Sequence, residues 1–470
     1  MHAEIVYLFR HVLLRDAAYQ LQLPGDRARL HALALALIED LYGGRPPVPP
    51  PQDPGEPLGF QEHRTDPFAE ELAGHAAHAG IEAAPAVANL YLRRAAQDAG
   101  RRWRLETSGK LWRQLAERST GVERGAALLH AANMALDAGR SLEALPLVEQ
   151  ALALFRSEGH RHFEGVAWGT LASLNRELGR IQQAEAADEA AMSIFRETGD
   201  RRGEGTALGN MANLLRQSGR VPQAEGAYRR ALALHRAVRN RRSESIVLGS
   251  LGNLLKATGR PREARRLFRQ ALAIQRALGD RLLEGTGVAN LARMDQASGQ
   301  LRRAERGYAQ ALAIHREVGD RRFEGVAVGN LATLHAQTGR PGLAEKGFEQ
   351  ALAIHREVGN RRSEGIALMN LSRLQGETGR AASAEAGFAQ ALTLFRDSGS
   401  RTAEAVCFCD FGVFLLDRGR VEEARAKWRQ GAGILRDLGD TAELQQKTVA
   451  MTAACSRAGI PPLAEALDEH

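Results

Sequence analysis

Cysteine, aromatic residues and long apolar runs are all scarce in this chain of 470 residues. Three cysteines are too few for a disulfide framework, so we expect reduced thiols and a cytoplasmic protein. Aromatic residues make up 5% of the chain, which leaves little material for a β-sheet core. The longest apolar candidate, residues 30–42, is shorter than the roughly 18 residues that span a bilayer. The composition therefore excludes a disulfide-stapled scaffold and predicts that a membrane is not a partner.

Charge of one sign is only slightly in excess. The chain has 63 basic and 56 acidic residues, a net charge of +7, and nearly all of the basic residues are arginine. Such an excess suits nucleic acid or another acidic partner. Because acidic and basic residues are interleaved and like charges do not form long blocks, we favour solvated helix faces as the main explanation.

Glycine and alanine, in contrast, recur with a fixed period. Eight glycines lie 40 residues apart, and an alanine follows each of them five positions later. Residues 311–319 and 351–359 have the identical sequence ALAIHREVG, which indicates duplication. A fixed period of this length is the signature of a repeat array. The eight glycines are Gly139, Gly179, Gly219, Gly259, Gly299, Gly339, Gly379 and Gly419.

Each unit is predicted to form two antiparallel helices. In residues 201–240, Asp200 is suited to cap the first helix and Gly219 to end it in the left-handed conformation. Pro222 is suited to the first turn of the second helix. One amphipathic pair cannot bury both of its apolar faces, so neighbouring units must stack. We therefore predict an all-α superhelical solenoid of antiparallel helix pairs.

The order of small and large residues within a unit resembles the tetratricopeptide repeat. This resemblance implies a right-handed solenoid of eight units over 121–440, with a capping helix and tail over 441–470. The unit is 40 residues long instead of the family's usual 34, and we expect the extra residues around 199–205 to lengthen the helices. In one unit the pattern is carried by Leu251, Gly252, Gly259, Ala264, Phe268 and Ala271.

The segment before the array has a different composition. Residues 43–67 hold eight of the sixteen prolines, which is typical of an extended linker. Residues 3–19 and 25–42 are predicted to form two helices, and 68–120 a helical lead-in of three helices that resembles a degenerate repeat.

A short stretch within residues 1–42 is similar to one in large bacterial signalling ATPases of the STAND type. It comprises Phe9-Arg10-His11, Leu14 to Tyr19, Leu23-Pro24 and Arg29-Leu30-His31. The resemblance implies a helical remnant from the end of a winged-helix region. The chain has no phosphate-binding loop, because Ser108 to Leu111 lacks the upstream glycine and the hydroxyl residue. We therefore expect the C-terminal part of such a regulator, without the ATPase core.

Residues suited to catalysis or metal binding do not form a recognisable pattern. Cys407 and Cys409 are two positions apart on a predicted helix and so point in different directions. His75 and His78 could share a metal, but the sequence shows no third ligand. One histidine per unit recurs by duplication at His235, His315 and His355, and one carboxylate per unit recurs at Glu204, Glu244, Glu284, Glu324, Glu364 and Glu404. The carboxylates fit helix-start ion pairs, and we predict no catalytic residues, no metal and no cofactor.

The first helix of each unit carries polar residues outside its apolar stripe. In tetratricopeptide arrays these positions line the concave groove. Asparagine amides there can bond the backbone of an extended peptide, and the cations favour an acidic or carboxylate-bearing partner. Duplication would copy the asparagines whether or not they bind, so both interpretations stand. The residues are Asn210, Asn213, Asn253, Asn290, Arg293, Asn330, Asn370, Arg373, Arg216 and Lys256.

Glycines inside the first helices also call for an explanation. Gly205, Gly209, Gly325 and Gly329 each cost a helix about 1 kcal/mol relative to alanine. A close approach by a ligand or by a neighbouring helix would account for them.

The sequence as a whole predicts a protein- or peptide-binding scaffold or sensor module, as the C-terminal part of a bacterial signalling regulator. The alternative is a nucleic-acid-associated transcriptional regulator that uses the basic surface. We rank nucleic acid behind a protein or peptide as the partner, and the oligomeric state is open.

Overall fold

A computed structural model describes Tyr19 and residues 21–48, 61–80 and 84–463. Within these residues all regular structure is helical. The predicted helix over 3–19 lies outside the described residues except for Tyr19, as do residues 49–60 of the proline-rich segment and 464–470 of the tail. The helices before the array are α1 (Pro24–Leu41), α2 (Ala69–His78), α3 (Ala84–Arg101) and α4 (Leu105–Arg118), with a 3₁₀ turn at Asp66–Phe68.

Eight helix pairs of nearly constant size follow. The first helices of units 1 to 8 are α5 (Gly121–Asp137), α7 (Arg161–Glu177), α9 (Arg201–Gln217), α11 (Arg241–Ala257), α13 (Arg281–Ala297), α15 (Arg321–Gln337), α17 (Arg361–Glu377) and α19 (Arg401–Leu416). The second helices are α6 (Ser141–Ser157), α8 (Ile181–Glu197), α10 (Val221–Ala237), α12 (Pro261–Ala277), α14 (Leu301–Glu317), α16 (Pro341–Glu357), α18 (Ala381–Asp397) and α20 (Val421–Asp437). Helix α21 (Thr441–Ala458) packs against α19 and α20.

Helices of 17 residues separated by three-residue turns explain the period of 40. The Asp200 carboxylate accepts hydrogen bonds from the N–H groups of Arg202 and Gly203, so it caps α9 as predicted. Gly219 ends the same helix with a φ of +69°, which favours glycine. Residues 199–205, where the sequence predicts the extra length, form this cap and the first turn of α9.

Small residues face large ones where the two helices of a unit cross. Ala224 and Ala231 are fully buried on the same face of α10 as Tyr228. An added Cβ on Gly252 would lie 2.8 Å from Cε1 of Phe268 on the second helix of the same unit. The predicted packing of small against large residues is therefore present.

The glycine at the fifth position of the first helix also has a packing reason. An added Cβ would lie 2.9 Å from the His235 ring at Gly205 and 2.6 Å from the His355 ring at Gly325. A neighbouring helix, not a ligand, requires the close approach at these two positions. The ninth position differs, because an added Cβ would lie 3.7 Å from Cγ2 of Val247 at Gly209 and 3.9 Å from Cβ of Ala351 at Gly329, which are ordinary contacts.

The array completes more than one superhelical turn, so that early units touch late ones. The carbonyl of Ala138 accepts a hydrogen bond from the N–H of Arg361 at 3.2 Å. The Gln217 amide donates to the Thr402 hydroxyl at 2.9 Å, across 185 residues of sequence. With a 40-residue unit, the sequence separations between these paired residues correspond to roughly five to six units per superhelical turn. We call these contacts the rim clasp: residues 137–139, 177–179 and 217–219 on one side, and 322, 358–362, 398–402 and 438–441 on the other.

Candidate functional site

The inner wall of the superhelix is formed by the first helices. A cavity of about 670 Å³ is lined by residues from units 1 to 4. Because four successive first helices reach the same cavity, the array must curve towards it. Its polar lining includes Asn133, Thr170, Ser173, Arg202, Asn210 and Arg242.

The predicted asparagine row occupies the same position in successive first helices. Asn210, Asn290, Asn330 and Asn370 are all half-buried at the tenth position of their helices. Asn210 lines the cavity, and Nδ2 of Asn330 is buried without a hydrogen-bond partner. Within the described residues, no side-chain hydrogen bond engages the amides of Asn210, Asn290 or Asn370.

The predicted asparagines at the thirteenth position of the first helices, Asn213 and Asn253, differ in their hydrogen bonds. The Tyr228 hydroxyl donates a hydrogen bond to Oδ1 of Asn213 at 2.6 Å, so Asn213 already contributes to packing within its unit. Tyr308 donates in the same way to Gln296. Asn253 is half-buried at the equivalent position of unit 4, where Phe268 replaces the tyrosine and offers no hydroxyl. Asn253 therefore keeps its amide free, whereas Asn213 does not.

The predicted cations lie on the first helices of units 3, 4, 5 and 7. Arg216, Lys256, Arg293 and Arg373 make no ion pair with any described residue. Burial, and then the nearby Arg293, lower the pKa of Lys256 below its usual range. Two neighbouring cations without a carboxylate favour the binding of an anion.

The repeated carboxylates at the fourth position of the first helices are paired with arginines. Glu244 is buried and accepts from Arg236 of the preceding unit at 2.8 Å and from Arg241 of its own helix at 2.5 Å. The repeated carboxylates are therefore helix-start ion pairs, as predicted. The sequence did not indicate that an arginine of the preceding unit also binds each carboxylate. The same ion pair recurs at Glu164, Glu204, Glu284, Glu324, Glu364 and Glu404.

The second position of the first helix belongs to the site but was missed. His162, Arg202 and Arg242 line the cavity at this position. His162 approaches the Asp200 carboxylate at 3.2 Å, and Arg242 binds Asp280 at 2.8 Å. Arginine recurs at the second position of four units, and this recurrence could have indicated the site. In two of these units the arginine lines the cavity, and in the other two it makes a rim-clasp contact.

The histidines and cysteines have structural environments. Burial lowers the pKa of His315 and of His355 to about 4, so both rings are neutral in the core. Cys407 and Cys409 are buried. His31 lies 2.8 Å from His75, Nδ1 to Nδ1, a neighbour that sequence spacing could not show. Among the described residues, no group of three or more His, Cys, Asp or Glu side chains is arranged to hold a metal.

The arrangement defines a class of protein, a helical-repeat solenoid with a polar, cationic inner wall. The family model of the tetratricopeptide repeat matches residues 123–197, 203–277, 283–357 and 323–397, more than half of the chain. The chain therefore belongs to the tetratricopeptide repeat family. No curated protein matches the sequence. No helix in the described part of the chain is long and apolar enough to cross a membrane.

Several solved structures are similar to this chain. A Rap protein complexed with competence and sporulation factor is 12% identical, with a TM-score of 0.52, over 74% of this chain and 98% of that chain. Aspartyl phosphate phosphatase F from Bacillus subtilis is 13% identical, with a TM-score of 0.47, over 72% and 91%. A STAND protein with a tetratricopeptide repeat sensor from Pyrococcus horikoshii is 14% identical, with a TM-score of 0.43, over 81% and 64%.

Proposed function

We propose that the inner wall binds an extended, acidic polypeptide segment, and that the chain is a binding module of a bacterial signalling regulator and not an enzyme. The observation that carries this proposal is the combination of unbonded amides and unpaired cations along consecutive first helices. Amides at Asn210, Asn290, Asn330 and Asn370 can bond the main chain of any sequence. Lys256, Arg293 and Arg373 then select for acidic side chains or a terminal carboxylate.

A Rap protein with a similar fold is complexed with competence and sporulation factor, which supports a binding role for this fold. The signalling role rests on the short stretch in residues 1–42 that is similar to STAND ATPases.

A charge-neutralising variant tests the proposal. We expect Lys256→Gln, Arg293→Gln and Arg373→Gln together to weaken the binding of a fluorescent acidic decapeptide at least tenfold, measured by anisotropy. A decapeptide with lysine in place of each acidic residue should not bind either form. Equal affinity of the variant and the parent chain for the acidic peptide would contradict the proposal.

A matched control is available on the outer surface. Arg262, Arg269 and Arg306 are exposed on the second helices and make no ion pair with a described residue. Their replacement by glutamine changes the net charge by the same amount without touching the inner wall. We expect this control to bind the acidic decapeptide as the parent chain does.

Two of these outer arginines, Arg262 and Arg269, also line a groove that favours the alternative partner, nucleic acid. Arg262, Arg265, Arg266 and Arg269 surround one shallow groove on α12, which would suit a phosphate backbone. A mobility shift with duplex DNA at about 50 mM salt, abolished by the outer variant and retained by the inner one, would support this alternative. No shift at that salt concentration would remove it.

A further inference from the structure

The rim clasp joins two successive turns of the superhelix by polar contacts. Arg322 binds Asp137 at 2.9 Å, and Arg362 binds Glu177 at 3.0 Å. The Asn360 amide donates to the carbonyl of Asp137 at 3.3 Å, across 223 residues of sequence. Helix carbonyls at the end of α5 thus meet donors at the start of α17, which satisfies groups that a helix end leaves open.

Apolar residues are buried in the same contact. Equivalent residues of other units, which lie outside the contact, allow their exposure to be compared. Val238, Leu278, Val358 and Leu438 occupy the same position in the turn between units. Val238 and Leu278 are 38% and 46% exposed, whereas Val358 and Leu438 are 6% and 4% exposed. The buried pair lies where another turn of the superhelix covers the rim. An added Cβ on Gly179 would lie 2.5 Å from Cδ2 of Leu438, so the contact is close.

We propose that, in the free chain, the rim clasp closes the side of the channel that the first helices surround, so that a partner segment enters only through an end of this channel. A segment with a free end can thread the closed channel. A segment held between two folded domains can enter only when the clasp opens. This inference rests on the proposed function for the identity of the occupant, but the clasp itself does not depend on it.

A disulfide across the clasp provides the test. In the full chain with Ser218→Cys and Gly439→Cys, we expect a mild oxidant to join the two cysteines, because a Cβ on Gly439 would lie 3.7 Å from Cβ of Ser218, within the range that a disulfide spans. The radius of gyration from solution scattering should be the same before and after oxidation. The single-cysteine variants are the controls, since the three native cysteines are buried. Failure to form the disulfide, or a marked contraction on oxidation, would overturn the closed clasp.

Two probes then test entry. One is an acidic decapeptide fused to a folded domain at one end, and the other carries a folded domain at both ends. We expect the first to bind the oxidised and the reduced forms alike, and the second to bind the oxidised form at least tenfold more weakly. Equal binding of the second probe to both forms would overturn the inference. If neither probe binds either form, the proposed function fails, while the disulfide still decides whether the clasp exists.

Discussion

Substitution of Gly325 by alanine tests the packing that sets the distance between two helices of a unit. An added Cβ would lie 2.6 Å from Cε1 of His355, and both residues are buried. Alanine gains about 1 kcal/mol of helix propensity, but overpacking of a core loses about 1–3 kcal/mol. We therefore expect Gly325→Ala to lower the free energy of unfolding of the full chain by about 1 kcal/mol, the difference of these two terms.

Gly249 is the matched control, because it lies in a first helix and an added Cβ would meet nothing within 4 Å. Gly249→Ala should raise the free energy of unfolding by up to about 1 kcal/mol. Urea unfolding at pH 7, followed by circular dichroism, measures both variants. The loss at Gly325 should shrink in a His355→Ala background, because the two residues are coupled. If Gly325→Ala were as stable as Gly249→Ala, the packing argument would be refuted.

Three other substitutions give independent tests. Burial lowers the pKa of His355 to about 4. The contribution of the neutral ring to the free energy of unfolding is therefore fully present above the ordinary pKa of 6.5 and is lost as the pH falls towards 4. The loss is up to about 3 kcal/mol. His355→Phe, which copies Phe395 in the next unit, should therefore reduce the difference between the free energies of unfolding measured in urea at pH 7 and at pH 4.5. The same difference in the variant and the parent chain would contradict this. Glu324→Gln should lower the free energy of unfolding by about 1–3 kcal/mol, since it removes a buried carboxylate between two arginines, and unchanged stability would argue against the network. Arg322→Asp should increase the radius of gyration, and Asp137→Arg added to it should reverse the change; no reversal would count against the rim clasp.

The sequence was sufficient to predict the fold class and the way in which helices begin and end. The period of 40, the cap at Asp200 and the left-handed Gly219 are local features, so they could be identified without knowledge of the packing. The ion pairs of the repeated carboxylates were predicted from the same local spacing, although the arginine of the preceding unit was not.

Contacts that depend on curvature could not be predicted. Residues 137 and 322 meet only because of the number of units in one superhelical turn, which no local pattern encodes. His31 and His75 meet for a similar reason, since they lie on different helices. The role of Asn213 in binding Tyr228 needed the crossing geometry of α9 and α10.

The duplication that makes the fold easy to predict makes the site difficult to predict. An asparagine copied with its unit carries the same pattern whether or not it binds a ligand. The structure adds a distinction that the sequence lacks, since Asn213 has an internal partner and Asn290 and Asn370 have none in the described part of the chain.

The most direct test of the account is to locate a bound peptide. An acidic decapeptide with a photoreactive group at its centre can be cross-linked to the full chain, and the cross-linked residues identified by mass spectrometry. The account predicts cross-links to the first helices near Asn210, Lys256, Asn290 and Arg293, which excess unlabelled peptide suppresses. Cross-links confined to the second helices, such as those near Arg262 and Arg269, would contradict an inner-wall binding site.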